Sequence, residues 1–391
     1  MWLKKSFLVA FLLYNSCQSI SKTITQVSIK EFAQLNPYAQ ITQCTNHYPY
    51  AFQQYPLYKE HCHTRFPNQG IFNDAYIISV PNGTANLYED NYWGISGLVF
   101  INNYFIKECQ IKNISPFCYA KTDTLTIQSP ELCINLNGSV AICWHLFPQC
   151  YGHFILDVLC QLALFEIQNI DYDYLCIPYS DKFMQDLLDI WGINSDKIIP
   201  YTNNIEIFAD RIIIPTAVTQ TPQVIWFTNY TIDFLIKHVR EKLLKNIKTK
   251  KNVPTFSPKI FISRKDSKLR NIPNEDEIFK EFEYRGFRRY ELSKLSIPEQ
   301  ILLFNNAQAI VSFVGSGSTN IIFSKPGTQY IEIVQTMVDA TFFFLANIMK
   351  LNYYHIDDTT YNDFSHGNQN SSCRIFSIKK IQDFLIKNPE L

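Results

Sequence analysis

Short apolar runs separated by amphipathic stretches fill the second half of the chain. Lys259–Ser263, Ala309–Val314 and Gln329–Val334 are apolar on both faces, as strands are in a parallel sheet with helices on either side. Phe287–Glu291 reads as a fourth strand among them. Asn274 is placed to cap an intervening helix whose first turn holds Glu275, Asp276 and Glu277, acids suited to its positive end, and Gly286 closes it. Ser296-Ile-Pro-Glu299 is a capping box that opens another helix, to about Asn306. Ala309–Val314 runs into Gly315-Ser-Gly-Ser318, and Thr319–Phe323 predicts a further helix. This alternation predicts a doubly wound α/β lobe.

Upstream, Tyr174–Ile177 and Arg211–Pro215 predict buried strands and Phe183–Trp191 a helix closed by Gly192, so residues 150–215 suggest a second α/β lobe. Within it Gly152–Glu166 is apolar except for His153, Asp157 and Gln161, spaced i, i+4, i+8 on one face of a buried helix. Ionisable groups on a buried helix are costly unless partnered. His153 with Asp157 suits a general base, or a hydrogen bond that only pins the helix. Ile20–Pro130 is aromatic and rich in turn residues, and predicts an irregular cap of short strands. Tyr230–Leu244 is helical, and the basic Lys245–Lys251 reads as a connection between lobes. The tail predicts helices at Phe342–Leu351 and Ser377–Lys387, with a short strand at Tyr353-Tyr-His355.

Charge and cysteines narrow the class. Lys+Arg and Asp+Glu both number 35, so no charge excess points to nucleic acid or an anionic membrane. Met1–Ser19 has two lysines, a short apolar core and small residues at Cys17 and Ser19, the pattern of a secretory signal. As an uncleaved anchor it would instead attach the chain to a membrane. Behind it lie ten cysteines, nine of them between Cys44 and Cys176, an even count that predicts disulfides. His61-Cys62-His63 lacks the second pair a zinc site needs. Sequons at Asn82, Asn113, Asn137, Asn229 and Asn370 agree with a lumenal protein.

In an open parallel sheet, ligands bind beyond the carboxyl ends of the strands. Arg264 leaves the first strand of the second lobe there and Arg270 follows it, both forked donors for phosphate. Gly315, Ser316, Gly317 and Ser318 leave the third strand, where small residues let backbone N–H groups approach an anion. Glu332 lies in the fourth, a carboxylate for ribose hydroxyls. Together they suit a nucleoside diphosphate. A dinucleotide fingerprint is a competing pattern, but its third glycine position is Asn320 and its loop follows the wrong strand. Asp171-Tyr-Asp173 precedes a strand, the wrong end for a metal-held nucleotide, and reads as turn chemistry.

The succession Ile-Ser-Arg264, Arg270-Asn-Ile-Pro-Asn-Glu275, Glu-Gln300, Gly315-Ser-Gly317, Asn320-Ile-Ile-Phe323 and Tyr-Ile-Glu332-Ile resembles glycosyltransferase family 61. The resemblance spans roughly residues 140–345. It implies two Rossmann-type lobes facing a cleft in the GT-B manner, with a cysteine-rich irregular region before them. It implies a UDP-sugar donor, a protein or glycan acceptor, inversion at the anomeric carbon and no metal or other cofactor. An H-x₃-D motif of this kind occurs at this place in the family, which makes His153 the base and Asp157 its orienting partner. Arg264, Arg270, Asn274, Glu275, Gly315–Ser318 and Glu332 become donor-binding candidates. Members often carry His just before the glycine loop, where this chain has Val314; a non-catalytic glycan- or protein-binding module of the same fold is therefore the alternative. The expected divisions are a signal at 1–19, an acceptor lobe at 20–230 and a donor lobe at 231–391. The expected location is the lumen of the endoplasmic reticulum or Golgi, or the cytoplasmic face of a bacterial membrane.

Overall fold

The computed structural model describes residues 21–44, 74–90, 95–109, 123–128, 130, 132–145, 147, 149–201, 205–220, 233–247, 255–267, 272–334, 340–358 and 375–391, with strand residues 15–16, 49–51, 69–71 and 230–231. Two compact units separate, the first built mainly on Ile71–Thr221 and the second on Arg240–Leu391. The signal pattern, apart from residues 15–16, and His61–His63, Arg270, Cys373 and the sequons at Asn113, Asn229 and Asn370 lie outside the described residues. No helix among those described is long and apolar enough to cross a membrane.

The first unit holds one mixed sheet. Its strands include β1 (Ser21–Val27), β2 (Gln40–Gln43), β3 (Tyr76–Asp90), β4 (Ile95–Ile101), β5 (Tyr104–Ile106) and β6 (Thr124–Gln128). They continue with β7 (Leu132–Ile142), β8 (Tyr174–Ile177), β9 (Ile198–Pro200) and β10 (Ile205–Pro215). The order across the sheet is β9-β8-β7-β10-β3-β4-β5-β1-β6, with β2 beside β3. Strands β9, β8, β7 and β10 are parallel neighbours, and β3 pairs antiparallel with β10. The chain therefore leaves β7 toward β8 on one side, while β10 lies on its other side. That reversal is a topological switch point, where α/β sheets place ligands.

The irregular cap gives way to this sheet over the described part of Ile20–Pro130. Pro81-Asn82-Gly83 carries the composition of a turn, yet β3 runs through it. Asn82 takes a left-handed φ of 46°, and pairing with β10 resumes on both sides, Pro81 against Arg211 and Gly83 against Ala209. A bend held by a neighbouring strand has no signature in local composition. The disulfide expectation also needs correction. Cys109, Cys143, Cys160 and Cys176 are buried free thiols and Cys44 is a half-buried one, whereas Cys133 is disulfide-bonded. Burial pushes the Cys44 thiol up to about 11. These thiols act as small apolar side chains, a role that an even cysteine count does not reveal.

Helices α1 (Ile29–Leu35), α2 (Tyr151–His153 continuing through Phe154–Val158 to Leu159–Ile167) and α3 (Lys182–Trp191) accompany the first sheet. Helix α4 (Asp233–Ile247) carries the chain onward, its residues Phe234–Val239 counted with the first unit and the rest from Arg240 with the second.

The second unit is a five-stranded sheet of β11 (Lys259–Ile262), β12 (Arg288–Tyr290), β13 (Ala309–Phe313), β14 (Gln329–Val334) and β15 (Asn352–Asp357), in the order β12-β11-β13-β14-β15. Every neighbouring pair is parallel. This is the doubly wound arrangement that the apolar runs predict, with its switch point between β11 and β13. Around it lie α5 (Glu275–Glu283), α6 (Ile297–Asn306), a 3₁₀ helix at Ser316–Phe323, α7 (Thr341–Ile348) and α8 (Ile378–Lys387). Gly286 follows α5 at φ 87°, a conformation glycine adopts without strain. At the start of α6 the Glu299 carboxylate accepts from the Ser296 N–H at 2.8 Å and its hydroxyl at 2.7 Å. Phe261, Val311, Ile331 and Ile356 are buried in the core, each from a different strand.

Candidate active site

Strand β7 ends in the core, and Trp144 and His145 just beyond it build one wall of the site. Gln161 of α2 clamps Trp144 through both backbone groups, accepting its N–H at 2.8 Å and donating to its carbonyl at 2.9 Å. The clamp fixes the next residue, His145, beside α2. There its imidazole stacks on that of His153, with ring centroids 4.3 Å apart. Helix α2 is not regular here: Phe154–Val158 is a π turn, one residue wider than an α turn and frequent at functional sites. His153 and Asp157 still meet, with Nδ1 2.9 Å from Oδ2. Gln161 does not extend their stripe, because the wider turn breaks the 3.6-residue period behind the i, i+8 expectation.

Three groups thus gather at the switch point of the first sheet. Asp157 is 3% exposed; His145 Nε2 lies 3.4 Å from its Oδ2. His153 is 25% exposed, so it is the member that meets solvent. A carboxylate accepts only, so His153 donates its Nδ1–H to Asp157 and carries its lone pair on Nε2. His145 has the opposite tautomer. Its Nδ1 accepts the Phe147 N–H at 3.0 Å, which leaves the ring proton on Nε2, facing Asp157. Burial pushes the His145 imidazolium down to about 4; the Asp157 charge offsets this in part and His153 adds to it. The Phe147 ring stands 6.0 Å from His153 and is 42% exposed.

Ligand atoms of His145, His153 and Asp157 lie within 4.8 Å of one another, close enough to hold a metal ion. A metal on His145 Nε2 would force the proton onto Nδ1, against the Phe147 N–H. The loop after β7 therefore favours a proton-handling cluster over a metal site.

In the second unit Arg264 spans the switch point. Its Nη1 donates to the Val314 carbonyl at 3.1 Å and its Nη2 to Ser267 Oγ at 2.9 Å. Gly315 is required by that approach, since a Cβ there would fall 1.9 Å from Arg264 Nη1. Ser318 is buried, its hydroxyl 3.1 Å from the Phe313 carbonyl and 2.9 Å from Ser312 Oγ. Ser316 and Gly317 are the half-buried residues of the loop, at the N-terminus of the 3₁₀ helix.

Three donor-site candidates are committed elsewhere. Asn274 does not cap α5 with its side chain; its amide bridges the backbone of Phe376 at 2.8 and 2.9 Å. Glu275 is buried and accepts from Ser263 Oγ and from the Arg264 N–H, at 2.5 and 2.8 Å. It therefore holds the Arg264 loop rather than facing a ligand. Glu332 is fully buried and accepts the Tyr353 hydroxyl through Oε2. Asp173 is likewise occupied: its Oδ2 accepts from the Ser139 N–H and hydroxyl at 2.7 and 2.9 Å. Those bonds hold its carboxyl below the usual range. His145 is the site residue the sequence reading missed. The available signal was its position, a polar residue just past the carboxyl end of a buried strand.

No curated protein matches the chain at a significant level. The family model described as Glycosyltransferase 61 matches residues 151–331, from the first residue of α2 into β14. The matched stretch holds His153, Asp157, Arg264 and the glycine loop, and leaves His145 outside. From the site helix to the fourth strand of the second sheet, the chain is similar to glycosyltransferase family 61.

Proposed function

We propose that the protein is an inverting glycosyltransferase that moves GlcNAc or a pentose from a UDP-sugar to a hydroxyl of a protein or glycan, without a metal. The observation that carries this reading is the partly exposed His153 held through Nδ1 by a buried carboxylate at 2.9 Å. That is the arrangement of a general base with its orienting partner. As the acceptor oxygen attacks the anomeric carbon, His153 Nε2 takes the hydroxyl proton. The bond from that carbon to the diphosphate oxygen breaks, and UDP leaves with the electron pair. Asp157 stays ionised and stabilises the imidazolium.

On the donor side, Arg264 and the backbone N–H groups of Ser316 and Gly317 are offered to the diphosphate, and Arg270 joins them by family resemblance. The Met1–Ser19 pattern and the exposed sequon asparagines Asn82 and Asn137 favour a secretory lumen.

The test is thermal stabilisation by UDP in EDTA, followed by UDP release from UDP-GlcNAc and UDP-pentoses. The wild type should be stabilised and should turn over one of these donors. Gly315→Ala should weaken UDP binding about tenfold by displacing the guanidinium, a loss of about 1.4 kcal/mol. His153→Gln should bind UDP normally and lose turnover. UDP binding without turnover of any donor would favour the non-catalytic module that Val314 suggests, and no binding would sink the donor site.

A further inference from the structure

We propose that His145 is a positioning residue for the transfer reaction: its Nε2–H edge packed against the Asp157 carboxylate, and its ring stacked on His153, hold that pair in register. The proposal rests on the reading of His153 as base. Three observations carry it. His145 is 3% exposed and meets the pair at Asp157 Oδ2, the same oxygen that receives His153, at 3.4 and 2.9 Å, and by stacking on the His153 ring. The Phe147 N–H at 3.0 Å fixes its tautomer, so a donor rather than a lone pair faces the carboxylate. The Gln161 clamp on Trp144 ties its backbone to α2, so the strand end and the helix move as one piece.

The His153 hydrogen bond and the His145 N–H edge 3.4 Å away leave Asp157 little freedom to rotate, and the stacked His145 ring does the same for His153. A neutral donor also draws part of the Asp157 charge away from His153, which keeps the base from binding its proton too tightly. Burial supports this by holding His145 uncharged at neutral pH. The other titratable group at this face is Cys160, whose thiol is raised by burial and by the Asp157 charge, and so it stays protonated.

The experiment compares His145→Phe, His145→Gln and His153→Gln by UDP release from the preferred UDP-sugar, with melting temperature as the folding check. His145→Phe keeps a ring and loses the donor; kcat should fall about 10- to 100-fold, as misplacement of a reacting group does. KM for the donor should stay unchanged. The acid limb of kcat/KM should move to higher pH, because the full Asp157 charge then acts on His153. His145→Gln restores an N–H donor and should recover most of both effects.

Wild-type kcat and acid limb in folded His145→Phe would overturn the proposal, as would His145→Gln failing like His145→Phe. Loss of turnover in EDTA with recovery on zinc would overturn it in favour of a metal site. Full activity in His153→Gln would instead remove the base reading, and the proposal with it. A ¹⁵N-histidine spectrum of the wild type tests the geometry without relying on a variant. The resonance lost in His145→Gln should show a bare Nδ1 and a protonated Nε2 from pH 6 to 8, and the reverse tautomer would refute it.

Discussion

In the first unit one carboxylate, Asp157, lies between two histidines; in the second one histidine, His355, lies between two carboxylates. The positions are alike. Both clusters sit at the carboxyl end of parallel strands, and both are built on buried side chains. Their charge balance differs. His145 faces a single acid, so burial wins and the imidazole is held neutral near pH 7. His355 is 1% exposed, with Nε2 3.3 Å from Asp357 and Nδ1 3.9 Å from Glu332. Burial alone would lower it, but the two acids together raise it above the ordinary value. The Tyr353 hydroxyl closes that cluster, donating to Glu332 and lying 3.0 Å from His355 Nδ1. Nothing in it reaches solvent, whereas His153 does. Similar side chains at corresponding ends of two sheets therefore yield one group placed to exchange a proton and one that locks two strands together.

The largest expected effect tests the first half of that contrast. Asp157→Asn keeps the shape but can present an amide N–H to His153 Nδ1, which selects the wrong tautomer. UDP release should fall by about 10²- to 10⁴-fold, with the melting temperature nearly unchanged. Turnover within a factor of three of the wild type would mean that the pair only pins the helix. Next comes Glu332→Ala, which removes one of the two acids against the buried His355 and leaves the Tyr353 hydroxyl without its acceptor. It should cost about 3–5 kcal/mol of stability in urea unfolding. UDP affinity should be retained by the folded fraction, since the Glu332 side chain is fully buried. Selective loss of UDP binding at normal stability would return Glu332 to the donor site.

The two halves of this contrast were unequally legible in sequence. The second sheet announces itself because its strands are apolar on both faces, and the His153–Asp157 pair because i and i+4 meet on any helix, π turn included. His145 was hidden: it lies eight residues before His153, and only folding brings the end of β7 against α2. Glu332 was legible as a strand carboxylate but its burial was not, because the Tyr353 and His355 packed against it come from a neighbouring strand. Asn274 failed for the same reason. A helix-start asparagine is a cap by local rules, and the Phe376 backbone that claims it is about a hundred residues away. Arg264 and Gly315 were separately visible, but the close approach that requires the glycine was not.

The smallest expected effect sets the clusters against each other along the pH axis. His145 has a folded pKa of about 4, below the ordinary histidine value of about 6.5. Between those values the unfolded chain binds the extra proton and the folded one does not, so stability falls as pH drops. The loss from this residue between pH 8 and pH 5 should be about 2 kcal/mol. His355 has the opposite sign. Its pKa is raised in the fold, so its contribution is complete below about pH 6.5 and declines as pH rises through the folded value. Urea midpoints of the wild type should therefore slope downward on both sides of a neutral maximum. In His145→Gln the acid slope should flatten while the alkaline one persists, and in His355→Gln the alkaline slope should flatten whatever the change in absolute stability. An acid slope undiminished in His145→Gln would mean that His145 is charged in the fold, and Asp157 would then be flanked by two cations rather than held between a neutral donor and a base.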